Sequence, residues 1–205
     1  MNRSAMLTRL LHIAMLPAAV ALAACNGSPS PSPEDSPPLA GSSIGGPFTL
    51  TGADGKPVQW SDFDGRYRMV YFGYAYCPDV CPLDVQTMIK GLNIFAKDHP
   101  DLAASVVPIF ISIDPERDTP DVVGEFTSAF SDKLVGLTGT NEQIAAAAKA
   151  FAVYYAKGEA QPGGGYLMDH SRGAYLMGKK GEAIALVPVD KDAAAVAAEL
   201  ARWVN

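Results

Sequence analysis

Cysteine, histidine and tryptophan are scarce in this 205-residue chain, which has three, three and two of them. With so few thiols and imidazoles, each can be weighed by its position. Basic residues are outnumbered, 16 Lys and Arg against 22 Asp and Glu, for a net charge of −6. No basic stripe is present, which argues against nucleic-acid binding. A membrane helix needs roughly 20 apolar residues, and no segment supplies them; the longest candidate, Leu10 to Ala24, falls short. Internal repeats are absent.

That short apolar segment follows Arg3 and Arg9 and ends in Leu22-Ala23-Ala24-Cys25, the layout of a bacterial export signal. Leu-Ala-Ala-Cys resembles the lipobox of bacterial lipoproteins, which implies cleavage after residue 24 and a lipid on Cys25. A plain signal peptide and an uncleaved anchor are the rivals. Residues 25–46 then form a tether. Asn26-Gly27-Ser28-Pro29-Ser30-Pro31-Ser32-Pro33 and Gly41-Ser42-Ser43-Ile44-Gly45-Gly46 have the Pro, Ser and Gly content of a linker that buries no core. Residues 47–205 are enough for one domain with a sizeable interior. The expected protein is a lipid-anchored domain of the bacterial cell envelope, facing the periplasm.

Near-continuous apolar runs at Met69–Phe72, Val106–Ile113 and Leu134–Leu137 predict strands buried on both faces of a sheet. Helical spacing separates them: Val85, Met88, Ile89, Leu92 and Phe95, then Val122, Val123, Phe126 and Phe130 after Thr119-Pro120. Thr140 and Gln143 make a capping-box pattern for a helix running to Tyr155. Past a glycine-rich loop, Ala174–Met177 and Ala183–Val187 read as a hairpin, and Val196, Leu200 and Trp203 as a last helix. Thr49–Val58, around Asp54-Gly55, reads as an opening hairpin. The predicted class is α/β, a mostly parallel central sheet covered by helices on both faces. A thiol pair at the end of the first core strand makes it thioredoxin-like, with an added N-terminal hairpin and a late hairpin insertion.

With Cys25 assigned to lipid, the remaining thiols are Cys77 and Cys81, in Tyr76-Cys77-Pro78-Asp79-Val80-Cys81-Pro82. Such a pair can cycle between dithiol and disulfide or hold a soft metal. A purely structural bridge is disfavoured, because closing so short a loop constrains the unfolded chain little. Pro78 restricts Cys77 and Pro82 lacks an N–H, so the helix is expected to start with Cys81 at its N-cap and Pro82 at its first position. The helix terminus would then favour a thiolate at Cys81. Three residues between the sulfurs, rather than two, leave room for a metal ion. Imidazole beside two thiolates suits copper, and His170, on a loop leading into a strand, is the candidate third donor.

Phe72-Gly73-Tyr74-Ala75-Tyr76-Cys77-Pro78-Asp79-Val80-Cys81-Pro82, Ser112-Ile113-Asp114-Pro115-Glu116-Arg117-Asp118-Thr119-Pro120, Gly136-Leu137-Thr138-Gly139-Thr140 and Asp169-His170-Ser171 together resemble the Sco/SenC family. The likeness covers roughly Gly46 to Val204. It implies a membrane-tethered, thioredoxin-like copper chaperone that helps to assemble the dinuclear copper centre of cytochrome c oxidase subunit II. Carried over, the copper ligands are Cys77, Cys81 and His170, with Cys77 and Cys81 also a redox-active disulfide pair. Copper as Cu(I) or Cu(II), a periplasmic copper donor and a thiol reductant are the implied cofactor and further partners. The client's position favours the inner membrane, although Asn26 after Cys25 leaves outer-membrane sorting open. The alternative is a thiol-disulfide oxidoreductase that reduces client cysteines before metallation. Structural zinc lacks an evident fourth ligand, and a peroxiredoxin role is disfavoured by Tyr74, where that class usually has threonine.

Other residues have plainer readings. Asp114 to Pro120 is read as a strand end and a Thr-Pro helix start, its charges solvated or paired. Asp79 and Asp169 could tune a metal, but solvation suffices. Tyr74 and Tyr76 could shield the thiols or simply pack. Met168 and Met177 are expected in the interior, and His99 at a helix end. Gly163-Gly164-Gly165 is expected as a flexible loop that lets His170 approach.

Overall fold

The computed structural model describes residues 36–205; the expected signal segment, Cys25 and the first part of the linker lie outside them. The described elements are β1 (Thr49–Gly52), β2 (Pro57–Gln59), a 3-10 turn (Trp60–Phe63), β3 (Tyr67–Gly73), α1 (Val80–Asp98), α2 (Pro100–Ala104), β4 (Val106–Ser112), α3 (Pro120–Ser128), β5 (Val135–Thr138), α4 (Asn141–Ala150), β6 (Tyr155–Ala160), β7 (Tyr166–His170), β8 (Ala174–Met177), β9 (Ala183–Val187) and α5 (Ala193–Trp203). Seven strands form one sheet in the order β2-β1-β5-β4-β3-β8-β9. Its centre is parallel, β3 on β4 and β4 on β5. The hairpins β1–β2 and β8–β9 extend it with antiparallel pairing on either side.

Every residue of β3 and β4 is buried, as their apolar runs require of strands covered on both faces. Alternation along β3 assigns the two layers. Tyr71 stacks on Phe110, which meets Phe126 beyond the end of α3's first turns, and its hydroxyl reaches Asp84 of α1. Phe72 points the other way, to Phe151 at the end of α4, which also meets Trp60 and Tyr175. Helix α5 packs against α1. Along α1 the buried residues Cys81, Asp84, Val85, Met88, Leu92 and Phe95 follow helical spacing, the stripe that faces a sheet.

Three local expectations change. Helix α4 stops at Ala150 instead of reaching Tyr155: buried Phe151 caps it, and Ala152 has φ 54°. The glycine-rich segment is the tip of a two-stranded hairpin, β6–β7, separate from the main sheet, in which Gly163, Gly164 and Gly165 all have positive φ, a conformation glycine adopts without steric cost. His170 therefore ends a strand. Finally, residues 36–46, read as the end of the linker, lie against the domain. The Leu39 N–H donates to the Ile184 carbonyl (2.9 Å), the Gly45 N–H donates to the Ala150 carbonyl (2.8 Å), and Leu39 and Ile44 pack on the core.

Candidate metal centre

The chain leaves β3 at Gly73, turns through Ala75 to Asp79 and enters α1 at Val80. Gly73 is where the sheet comes closest to the thiols: a Cβ there would lie 2.7 Å from the Tyr71 ring and 3.1 Å from the Cys81 sulfur. The helix begins two residues earlier than expected, with Asp79 at the N-cap and Cys81 inside the first turn. This changes which sulfur the helix terminus serves. The Cys81 N–H donates to the Cys77 sulfur at 3.4 Å, so the free backbone donors of the first turn point at Cys77.

Both thiols are free. Cys77 is half-buried and Cys81 fully buried. A hydrogen bond from Cys81, outweighing the cost of burial and helped by His170 and the backbone at Asp79 and Cys81, draws the Cys77 pKa down to about 3. The bond to the Cys77 thiolate, with burial, pushes the Cys81 thiol up. The thiolate expected at Cys81 thus belongs to Cys77. With iodoacetamide, the reduced, metal-free protein should be alkylated first at Cys77, and because the lowered pKa keeps the thiolate populated in acid, at a rate differing less than about twofold between pH 5 and 7. An ordinary thiol near pKa 8.5 would slow about a hundredfold over that range. Peptide mass spectrometry after timed quenching reads the site and rate; alkylation mainly at Cys81 would contradict the assignment.

Hairpin β6–β7 brings His170 to the same place. Its Nε2 is 3.4 Å from the Cys81 sulfur. Its Nδ1 lies 3.0 Å from the Ser171 carbonyl; a carbonyl only accepts, so Nδ1 donates there and Nε2 is the ring nitrogen turned to the sulfurs. Tyr71 and Tyr74 meet the ring edge-on, with centroids 6.4 and 6.1 Å away. Burial raises the Tyr74 pKa to about 12, the Cys77 charge adding to it, so both rings stay neutral walls.

The three predicted donors are therefore gathered at one point. Among the described residues no cluster of three or more His, Cys, Asp and Glu side chains stands ready-formed as a cage.

Two charged groups hold these walls. Asp114, Arg117 and Asp118, read as solvated or paired charges at a helix start, are paired, and the helix start stands with Thr119 as N-cap and Pro120 following. Their partners are the site's own loops. Asp118 Oδ2 accepts from the Ser112 hydroxyl (2.6 Å) and from the Ala75 N–H (2.8 Å) of the cysteine turn. Asp114 accepts from Arg117 (2.5 Å) and from the Tyr166 hydroxyl (2.7 Å), while Arg117 stacks 3.7 Å from the Tyr166 ring and donates to its carbonyl (2.8 Å). One loop thus holds both the cysteine turn and the tip end of the histidine hairpin. The second group is unanticipated: Arg172 donates through Nε and Nη2 to the Asp84 carboxylate (2.8 and 2.6 Å), which also accepts from the Tyr71 hydroxyl (3.1 Å). Asp79 and Asp169 face solvent, and Met168 and Met177 are buried in the core.

A dithiol at a strand-to-helix turn, with an imidazole delivered from a late hairpin, defines a thioredoxin-like protein whose thiols share their pocket with a histidine ring. The chain belongs to the SCO1/SenC family, whose model matches residues 36–205. It is 46% identical over 142 residues to Protein SenC of Rhodobacter capsulatus, covering 69% of this chain and 62% of that one. Among solved structures it resembles Bradyrhizobium japonicum ScoI with copper bound, at 38% identity and TM-score 0.69 over 78% of this chain and 99% of that one. It also resembles BsSco, described as having a disulfide switch and as a member of the Sco family of cytochrome c oxidase assembly proteins, at 25% identity and TM-score 0.53 over 71% and 86%. The chain spans a little over half the length of the curated relatives it matches.

Proposed function

We propose that this protein is a copper metallochaperone, tethered to the cell envelope through lipid on Cys25, that delivers copper to the dinuclear copper site of cytochrome c oxidase subunit II. The observation that carries the reading is His170 Nε2 standing 3.4 Å from the Cys81 sulfur, beside the Cys77 sulfur. Two thiolates and one neutral imidazole make a soft, low-coordinate donor set that suits Cu(I). The copper-bound relative and the oxidase-assembly relative support both cargo and client.

Cys77, half-buried, is the donor an incoming client ligand meets first, so transfer proceeds by exchanging one donor at a time. Oxidation of Cys77 and Cys81 to the disulfide releases two electrons and two protons to an oxidant and removes both thiolates from the donor set; a thiol reductant restores them. Redox state therefore switches loading. Titration of the reduced protein with Cu(I) and Cu(II) should give one equivalent bound and a thiolate-to-copper absorption band. Loss of that band in each of Cys77→Ser, Cys81→Ser and His170→Ala is expected; a band that survives in all three counts against the site.

The exposure difference between the sulfurs favours a second reading, a thiol-disulfide oxidoreductase. The Cys77 thiolate would attack a client disulfide, Cys81 would then displace the client thiol from the mixed disulfide, and the client would leave as a dithiol while this protein becomes oxidised. Client reduction at the parent rate by His170→Ala, with no copper affinity in the parent, would select this reading.

A further inference from the structure

Hairpin β6–β7 carries His170 but takes no place in the seven-stranded sheet, so no main-sheet ladder fixes the imidazole relative to the cysteines. Beside its glycine tip the hairpin is held by Tyr166, through Asp114 and Arg117, and buried Met168 seats β7 on the core. At the histidine end, Ser171 binds back to Tyr154 of the same unit, its N–H donating to the Tyr154 carbonyl (2.8 Å) and its hydroxyl accepting the Tyr154 N–H (3.0 Å). Those bonds fix Ser171 within the hairpin, and none of them ties the histidine end to α1.

Arg172 supplies that connection. It lies two residues beyond His170, and Asp84 lies three residues beyond Cys81 on α1, one turn along the same side. The Arg172–Asp84 ion pair therefore joins the residue just past the imidazole to the helix turn just past the buried sulfur. Its geometry is the two-pronged one that constrains orientation as well as distance, with Nε on Oδ2 at 2.8 Å and Nη2 on Oδ1 at 2.6 Å. Asp84 is 1% exposed and Arg172 45%, so the carboxylate is a fixed anchor and the guanidinium the part that can leave. Oδ2 also accepts from the Tyr71 hydroxyl at 3.1 Å, and the Tyr71 ring forms one wall against His170. A single buried carboxylate thereby orders both the wall and the loop that bears the imidazole.

We infer that the Asp84–Arg172 pair is a clasp that positions His170 over the cysteine sulfurs and so sets how tightly the three-donor pocket retains its metal. The inference rests on the copper reading for its consequence, but not for the clasp itself. Arg172 and Asp84 are positioning residues; neither donates to the metal.

Breaking a buried pair from one side leaves an unpaired charge, which by itself destabilises, so two variants are required. Arg172→Met removes the guanidinium and strands Asp84; Asp84→Asn combined with Arg172→Met removes both charges and relieves that penalty. In the reduced, metal-free protein, nuclear Overhauser effects between the His170 ring and the Tyr71 and Tyr74 rings report imidazole placement. Competition with a Cu(I) chelator reports retention, and thermal unfolding reports stability. The expected result is that the ring contacts weaken in both variants and Cu(I) retention falls about tenfold or more in both, while the double variant regains much of the thermal stability that Arg172→Met loses. Arg172→Lys, with charge but no fork, should fall between parent and Arg172→Met.

Two results would overturn the clasp: ring contacts that persist in both variants, or Cu(I) retention in the double variant returning to within twofold of the parent together with its stability. The second would mean that the pair acts only by stabilising the fold. Should the parent bind no Cu(I) at all, the metal reading falls, and the ring contacts alone decide the clasp.

Discussion

His170→Ala should lower Cu(I) affinity by about a hundredfold or more, beyond the 10–100-fold that loss of an outer-shell partner brings, while leaving disulfide formation between Cys77 and Cys81 intact. In the proposed copper site the imidazole is one of three donors, and its Nε2 faces the Cys81 sulfur at 3.4 Å. Nothing adjacent replaces it, since Asp169 faces solvent and Met168 is turned into the core. The sulfurs do not depend on the ring for their mutual contact, because the Cys77 sulfur is held by the Cys81 N–H and by the Cys81 thiol. The substitution should accordingly separate the two chemistries of the site. Chelator competition measures the first and titration of free thiols after mild oxidation the second. Retention within tenfold of the parent would remove His170 from the donor set, and a variant unable to form the disulfide would show that the ring organises the thiols as well.

What the sequence disclosed tracks how local each cause is. Met69–Phe72 and Val106–Ile113 are continuous apolar runs, and they are central strands because only burial on both faces tolerates such runs. Thr140 with Gln143, and Thr119 before Pro120, are helix starts whose hydrogen bonds are formed within three residues, so they were legible. Cys77 and Cys81 were visible from their spacing, while His170, a candidate as the imidazole that could join them, was singled out by the resemblance. The end of α4 was not legible: an alanine-rich segment favours continuing the helix, and burial of Phe151 against Trp60, Phe72 and Tyr175 stops it. Hairpin β6–β7 was missed because Tyr-Ala-Lys-Gly-Glu-Ala shows no apolar period of two, most of the strand being exposed or only partly buried. The helix start shifted by two residues, and with it the thiolate, because a backbone donor of the first turn reaches back to Cys77. Asp84 did carry a signal, a carboxylate inside the apolar stripe of α1, and such a residue needs a buried partner; which cation supplies it is a tertiary fact, with Arg172 88 residues away.

Asp118→Ala should destabilise the protein by about 2–4 kcal/mol. Its side chain is 0% exposed, and the Ser112 hydroxyl and the Ala75 N–H both depend on its Oδ2; each buried donor left unpaired costs roughly 1–3 kcal/mol. At about 2–4 °C per kcal/mol for a domain of this size, the thermal midpoint should fall by roughly 4–16 °C. The cysteine turn should loosen with it, because Ala75 lies two residues before Cys77. Asp118→Asn should behave differently. Burial, outweighing the hydrogen bonds, raises the Asp118 pKa above its ordinary value, so the folded state disfavours the ionised form relative to the unfolded chain. Charge at Asp118 therefore lowers stability above the folded pKa, and that penalty is relieved as pH falls through the folded pKa toward the unfolded one. Subtracting the Asn variant's unfolding free energy from the parent's at each pH isolates this contribution from the other carboxylates. The difference should favour the parent increasingly as pH drops from neutral through the folded pKa toward the ordinary carboxylate range. A difference that is flat, or that runs the other way, would mean that Ser112 and Ala75 stabilise the Asp118 carboxylate more than burial penalises it.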